Sequence, residues 1–119
     1  STTTIDNFTA AVDKLDSTGR NWIIFQKRFT IAAKQKEVYS HLTGAAARPV
    51  HADPAKPTPT EDAAIASWDK KENLAMYLLT QKLHDVTLTK HLRKGTVAEI
   101  WSAVMQEFTQ KSLLLRATM

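Results

Sequence analysis

Residues 21–35, NWIIFQKRFTIAAKQ, decide the fold class of this chain. Their aromatic residues Trp22, Phe25 and Phe29 recur at spacings of three and four, which is the periodicity of one face of an α-helix. The basic residues of the stretch lie mainly on the other side of such a helix. The pattern therefore predicts an amphipathic helix over residues 21–35 whose aromatic face is buried.

Further segments on both sides repeat this periodicity, and none shows the convincing alternation of polar and apolar residues that is typical of a strand. The additional predicted helical segments are 5–15, 38–44 (a short turn or broken helix), 59–83, 84–92 (a bend and short helix, with Leu88 and Leu92 facing inward) and 96–110. Thr58 with Glu61, and Thr96 with Glu99, have the spacing of capping boxes, in which a threonine and a glutamate satisfy each other's backbone amides. Both pairs predict helix starts.

Residues 45–58 separate the two halves of the chain and show no periodicity. All four prolines lie between Pro49 and Pro59, and alanine is frequent among them. The composition predicts an exposed, extended loop. A loop of this length is unusual inside a compact domain, where such loops tend to be functional or mobile.

Together these segments predict an all-α fold, a compact bundle of about five short helices with a long Pro-rich loop. The large residues of the helical stripes form the predicted core, and they are Trp22, Phe25, Phe29, Trp68, Leu79, Trp101 and Phe108. We expect residues 1–112 to form one helical lobe and residues 113–119 to be the start of a linker or a truncated helix. Three adjacent leucines, Leu113, Leu114 and Leu115, either cap this core or serve as candidate assembly contacts with another copy, a linker or a following domain.

Composition excludes several classes of site. The 119 residues include no cysteine, which excludes disulfides, thiolate zinc sites and cysteine nucleophiles. The net charge of +4 is spread along the chain rather than clustered as in dedicated nucleic-acid-binding domains. No run of apolar residues reaches the length of a membrane span, so we expect no membrane partner. The first residue is Ser1, which leads us to expect a piece of a longer polypeptide.

The sequence contains no constellation that indicates catalysis. It has no Gly-rich phosphate loop, no His-Glu-x-x-His motif and no nucleophile elbow. His84 and His91 are seven residues apart, but no carboxylate lies at metal-ligand spacing beside them. We therefore expect no enzyme, no cofactor and no metal site. The aromatic stripes favour a core over a platform for stacking nucleic-acid bases, because Ile23 and Ile24 are expected to share the apolar surroundings of Trp22 and Phe25.

The order of several short motifs is informative. Leu-Asp-x-x-Gly-x-Asn-Trp ends at Trp22, Val-Tyr-x-x-Leu-x-Gly ends at Gly44, and Trp68 and Asn73 follow the Pro-rich insert. Thr-Val-x-Glu-Ile-Trp ends at Trp101, and Phe-Thr-x-Lys-Ser closes the series. Over roughly residues 5–112 this order resembles the Gag polyprotein of copia-type LTR retrotransposons, at the start of its capsid region.

The resemblance implies a helical capsid N-terminal lobe that self-assembles into virus-like particles enclosing the element's RNA. It implies further copies of the chain as partners, weak RNA contact at most, and a cytoplasmic location within particles. The zinc knuckle of many relatives and the protease Asp-Ser/Thr-Gly triplet are absent from this sequence. The fragment is therefore not expected to be the principal RNA binder or to carry the polyprotein's enzymes.

A second hypothesis also fits the sequence. The chain would be a domesticated Gag-like module that binds a partner's peptide in a groove between helices. The long loop beside the helices, residues 45–58, is the feature that motivates it.

Overall fold

The computed structural model describes residues 8–117 of the chain. Within this range the fold is all-α, as predicted, with six helices and no strand. Their bounds are α1 Phe8–Ala11, α2 Trp22–Gln35, α3 Tyr39–Thr43, α4 Pro59–Thr80, α5 Asp85–His91 and α6 Val97–Ala117. Part of the predicted first helix, including Ile5, lies outside the described residues, and the prediction that it extends to Leu15 is wrong, because α1 ends at Ala11.

A tight turn leads into α2 and fixes where that helix begins. The Asn21 side chain accepts a hydrogen bond from the Asp16 amide at 2.8 Å and donates one to the Lys14 carbonyl at 2.9 Å. Gly19 has a φ of 84°, and a Cβ at this position would lie 3.0 Å from Cβ of Lys111 on α6. Only glycine allows both this backbone conformation and this close approach.

The predicted end of α3 and the predicted start of α4 are confirmed. Helix α3 ends at Gly44, which adopts the left-handed conformation of a helix C-terminus with φ 83°. Helix α4 begins with the predicted capping box, in which the Thr58 hydroxyl accepts from the Glu61 amide at 3.1 Å and the Glu61 carboxylate accepts from the Thr58 amide at 3.0 Å. The helix ends at Thr80, three residues before the predicted Leu83.

The core joins α2 to α6 through five aromatic rings. The ring centroids of Phe29 and Trp101 lie 5.2 Å apart, and Trp22 lies 5.9 Å from both Trp101 and Phe108. Phe25 stacks on Phe29 at 5.6 Å. These residues, like Leu79 on α4, are buried. Six of the seven predicted core residues are thus buried together with aliphatic side chains from α3 and α4.

The prediction that Trp68 belongs to this core is wrong, because Trp68 is only partly buried. Its indole Nε1 donates to the Ala46 carbonyl at 2.8 Å, and its ring lies 4.9 Å from the ring of His41. Helix α4 is 22 residues long, and its fully buried residues, Ala75, Leu78 and Leu79, all lie in its second half. The first half extends beyond the aromatic core, so the apolar stripe that includes Trp68 is not fully enclosed.

Two predictions about the C-terminal part are also wrong. Leu92 is exposed and does not face inward, whereas Leu88 is partly buried and packs against the core as predicted. Thr87 is the buried residue of α5. Helix α6 does not end near Gln110 but continues to Ala117. No glycine or proline follows Gln110, and leucine, arginine and alanine all favour the helix.

The segment before α2 is fastened to the end of α4. The Leu15 amide donates to the Lys82 carbonyl at 2.8 Å. The Lys82 side chain is buried, donates from Nζ to the Thr9 carbonyl at 3.2 Å and lies 5.1 Å from the Phe8 ring centroid. A lysine therefore closes this part of the core by placing its aliphatic stem against apolar residues.

Replacing Trp101 with alanine should destabilise the domain strongly. Trp101 is 4% exposed and contacts both Trp22 and Phe29, so its removal leaves a cavity between α2 and α6. We expect a loss of about 3–5 kcal/mol in the free energy of unfolding, measured by urea denaturation. Ile24→Ala, at an exposed position of α2, is the control and should change stability by less than about 1 kcal/mol. Unchanged stability of W101A would contradict the core described here.

Candidate functional site

The Pro-rich loop, residues 45–58, is attached along the first half of α4. Arg48 donates to both carboxylate oxygens of Asp69 at 3.0 and 3.1 Å, and Nε2 of His51 lies 2.7 Å from Oδ1 of Asp62. The Ala52 amide donates to the Glu61 carboxylate at 3.0 Å. Together with the hydrogen bond from Trp68 to Ala46, these bonds hold the loop along α4, and the loop runs antiparallel to the helix. The prediction of a non-helical, largely exposed loop is confirmed, but the segment is bound to a helix face.

A buried polar contact joins α3, α4 and α6. Nδ1 of His41 lies 2.9 Å from Oε1 of Glu72, while Oε2 of Glu72 accepts from the Val97 amide at 2.8 Å. Val97 is the first residue of α6, where a negative charge is favoured by the helix dipole. Glu72 breaks the apolar pattern of α4 in the sequence because it serves as the polar junction of three helices.

A second carboxylate, Glu107, ties α5 to α6. It accepts hydrogen bonds from Lys90 at 2.9 Å and Lys111 at 2.9 Å, and its other oxygen lies 3.1 Å from Nε2 of His91. Burial alone would raise the pKa of Glu107, but the hydrogen bonds from Lys90, Lys111 and His91 outweigh it and lower the pKa from 4.5 to about 2. The carboxylate is therefore ionised and structural at neutral pH.

The described histidines serve in pairwise contacts rather than in clusters. His41, His51 and His91 each lie beside one carboxylate, and His84 precedes α5 as its N-terminal flanking residue. His84 and His91 therefore do not share the face of one regular helix. Among residues 8–117, no group of three or more histidine or acidic side chains could hold a metal ion.

The candidate assembly contacts divide between two environments. Leu113 and Leu114 are 51% and 66% exposed on the last turns of α6, whereas Leu115 is partly buried and Ser112 is buried. Leu113 and Leu114 therefore do not cap the core of this lobe. They leave an apolar patch at the end of α6, which we call the leucine end.

A second exposed apolar surface lies on the outward face of α2. Ile23, Ile24 and Ile31 are 58%, 50% and 56% exposed, so the expectation that Ile23 and Ile24 share the buried surroundings of Trp22 and Phe25 is wrong. Successive residues of a helix are rotated by about 100°, and four in a row cannot face one side. This rotation is the signal by which the surface could have been found in the sequence.

Comparison with known proteins identifies no relative of this chain. No family model, curated protein or solved structure matches it. No helix in the described part of the chain is long and apolar enough to span a membrane.

The Glu107 contact predicts a specific pH dependence. Because the pKa of Glu107 is lower in the folded protein than in the unfolded chain, its contribution to stability is fully present above about pH 4.5 and is lost as the pH falls toward about 2. Glu107→Gln should lower the free energy of unfolding at pH 7 by at most about 3 kcal/mol and make little difference near pH 2. Denaturation of both proteins across this range measures the change.

The matched control is Gln106→Ala, an exposed and uncharged neighbour on α6 that should leave the pH dependence intact. A difference between wild type and E107Q that stays constant from pH 7 to pH 2 would contradict the stabilising role of the Glu107 carboxylate.

Proposed function

We propose that this chain is a structural building block, the N-terminal lobe of a Gag-type capsid protein, which acts by associating with further copies of itself. The observation that carries the proposal is the leucine end, where Leu113 and Leu114 project from the last turns of α6 with half or more of their surface exposed. Apolar surface of this kind is typical of a surface that becomes buried in an assembly.

The rest of the molecule suits this role. A capsid lobe needs a stable body that presents the same surface in every copy, and symmetry then multiplies contacts that are individually weak. The aromatic packing of α2 on α6 supplies a fixed body. The partly buried carboxylates Glu72 and Glu107 contact other helices and act as links between them.

The order of the motifs in the sequence supports a specific type of assembly. By its resemblance to copia-type Gag proteins, the assembly is a virus-like particle in the cytoplasm that encloses the element's RNA. The lobe itself contributes association between copies, and any contact with RNA is weak.

A second candidate function rests on the attached loop. Residues 45–58 lie along α4 through hydrogen bonds and ion pairs, which is how an extended peptide from a partner would be held on this helix. In this alternative the chain is a protein-binding module, and a partner segment replaces the loop at α4.

Self-association of the chain should depend on the leucine end. We expect Leu113→Ser with Leu114→Ser to raise the dissociation constant of self-association about tenfold or more, because two leucine side chains lose their burial in the contact. Light scattering over a range of concentrations measures association, and electron microscopy of a longer chain that continues beyond Met119 detects particles.

The matched control is Val86→Ser with Leu92→Ser, which removes one exposed apolar side chain from α5 and one from the residue that follows it. It should leave self-association unchanged. A strictly monomeric chain at high concentration, with and without RNA and also in the longer form, would contradict the capsid proposal. Capture of a partner peptide that weakens on Arg48→Ala, combined with failure to assemble, would favour the binding module.

A further inference from the structure

The outward face of α2 combines aliphatic and cationic side chains along one line. Ile24, Lys27 and Ile31 occupy the side opposite the buried Trp22 and Phe29, and Ile23 flanks them. The exposed isoleucines project from a helix of 14 residues, which is about 21 Å long. An open depression on this face is lined by residues of α2 alone, among them Ile23, Ile24 and Lys27.

The charge of this face has a single sign. No acidic residue lies between Asp16 and Glu37 in the sequence. The Lys27 and Arg28 side chains are exposed and make no ion pair with a described carboxylate. Lys34 lies 4.8 Å from the ring centroid of Tyr39, which is itself 36% exposed beyond the end of α2. An occupant of this face must therefore supply negative charge together with apolar surface.

The leucine end of a second copy does not meet that requirement, because Lys111 and Arg116 flank its leucines and no acidic residue follows Glu107 in the sequence. Two α2 faces packed against each other would bring like charges together, which is unfavourable. The exposed Leu92 and Leu114 also have cations close by in sequence, Arg93 and Arg116.

Neither RNA nor a peptide fits the face as well as a flat anionic surface does. Binding of single-stranded RNA relies on several exposed aromatic rings for base stacking, whereas the aromatic residues of α2 are all buried and Tyr39 supplies a single ring that is 36% exposed. Recognition of an amphipathic peptide needs a groove between elements of the receptor, and the depression on this face is lined by α2 alone. A lipid headgroup layer is deformable, carries negative charge and covers an apolar interior.

We propose that the outward face of α2 docks peripherally on anionic lipid membranes. Ile23, Ile24 and Ile31 enter the boundary between headgroups and acyl chains, while Lys27 and Arg28 contact the lipid phosphates and carboxylates. Tyr39 has the apolar body and polar tip that are typical of side chains at a membrane surface. A peripheral contact needs no spanning helix, so the proposal departs from the sequence-based expectation of no membrane partner, and it does not depend on self-assembly.

Vesicle flotation of the unmodified 119-residue chain tests the proposal. We expect the protein to float with vesicles of phosphatidylcholine and phosphatidylserine at 7:3, to bind pure phosphatidylcholine much less, and to be released by salt. Lys27→Gln with Arg28→Gln should weaken partitioning about 25-fold, because each surface cation contributes about fivefold. Ile24→Ser with Ile31→Ser should weaken it at least tenfold, because the apolar insertion is lost.

The matched control is Lys70→Gln with Lys71→Gln, which removes the same charge from an exposed part of α4 and should leave partitioning within about twofold of wild type. Since the chain has no cysteine, an environment-sensitive dye can be attached at Ile24→Cys or, as its control, at Tyr77→Cys. Only the dye on α2 should report an apolar environment when vesicles are added.

Three results would overturn the proposal. The first is equal binding to neutral and anionic vesicles, and the second is an equal loss of binding in the α4 control. The third is the absence of binding to anionic vesicles. If α2 then binds polyuridylate or polyglutamate, the face is assigned to RNA or to an acidic protein. Circular dichroism of every variant establishes that a loss of binding is not a loss of folding.

Discussion

The packing of α2 on α6 through aromatic rings is the contact on which the rest of the structure depends. Phe29 and Trp101 stack at 5.2 Å, and Trp22 contacts both Trp101 and Phe108. Aromatic pairs of this kind add directional preference to the large apolar area that they bury. Once these rings meet, the rotation of both helices about their axes is fixed, and so are the side chains that α2 and α6 present to the exterior.

Polar contacts then place the smaller helices around this pair. Glu72 links α3 and α4 to the first turn of α6, and Glu107 links α5 to its middle. Each is a carboxylate with low exposure that is surrounded by donors, so removing its partners would leave a costly charge behind. The ionisable groups with the most contacts thus hold helices together.

Local signals in the sequence were sufficient to find the helices and the starts of α4 and α6, but they misplaced the end of α6, and distant contacts explain most of the rest. The capping boxes at Thr58 and Thr96, and the glycine that ends α3, depend on residues within one turn, so the sequence placed them well. The role of Glu72 could not be derived, because its partners His41 and Val97 lie 31 and 25 residues away. Trp68 was misassigned for a related reason, since periodicity shows which side of a helix is apolar but not how far along the helix the core extends.

The attached loop connects α3 to α4, and its tip takes no part in the packing of the helices. The tip is a tight turn in which the Lys56 amide donates to the Asp53 carbonyl at 2.8 Å. This turn follows Ala52, whose amide bonds the loop to Glu61 of α4. Exposed tips of this kind tolerate insertion because no buried backbone is disturbed. A fluorescent protein or affinity tag placed after Ala55 would therefore leave the packing of the helices unchanged and would provide a label on the folded chain.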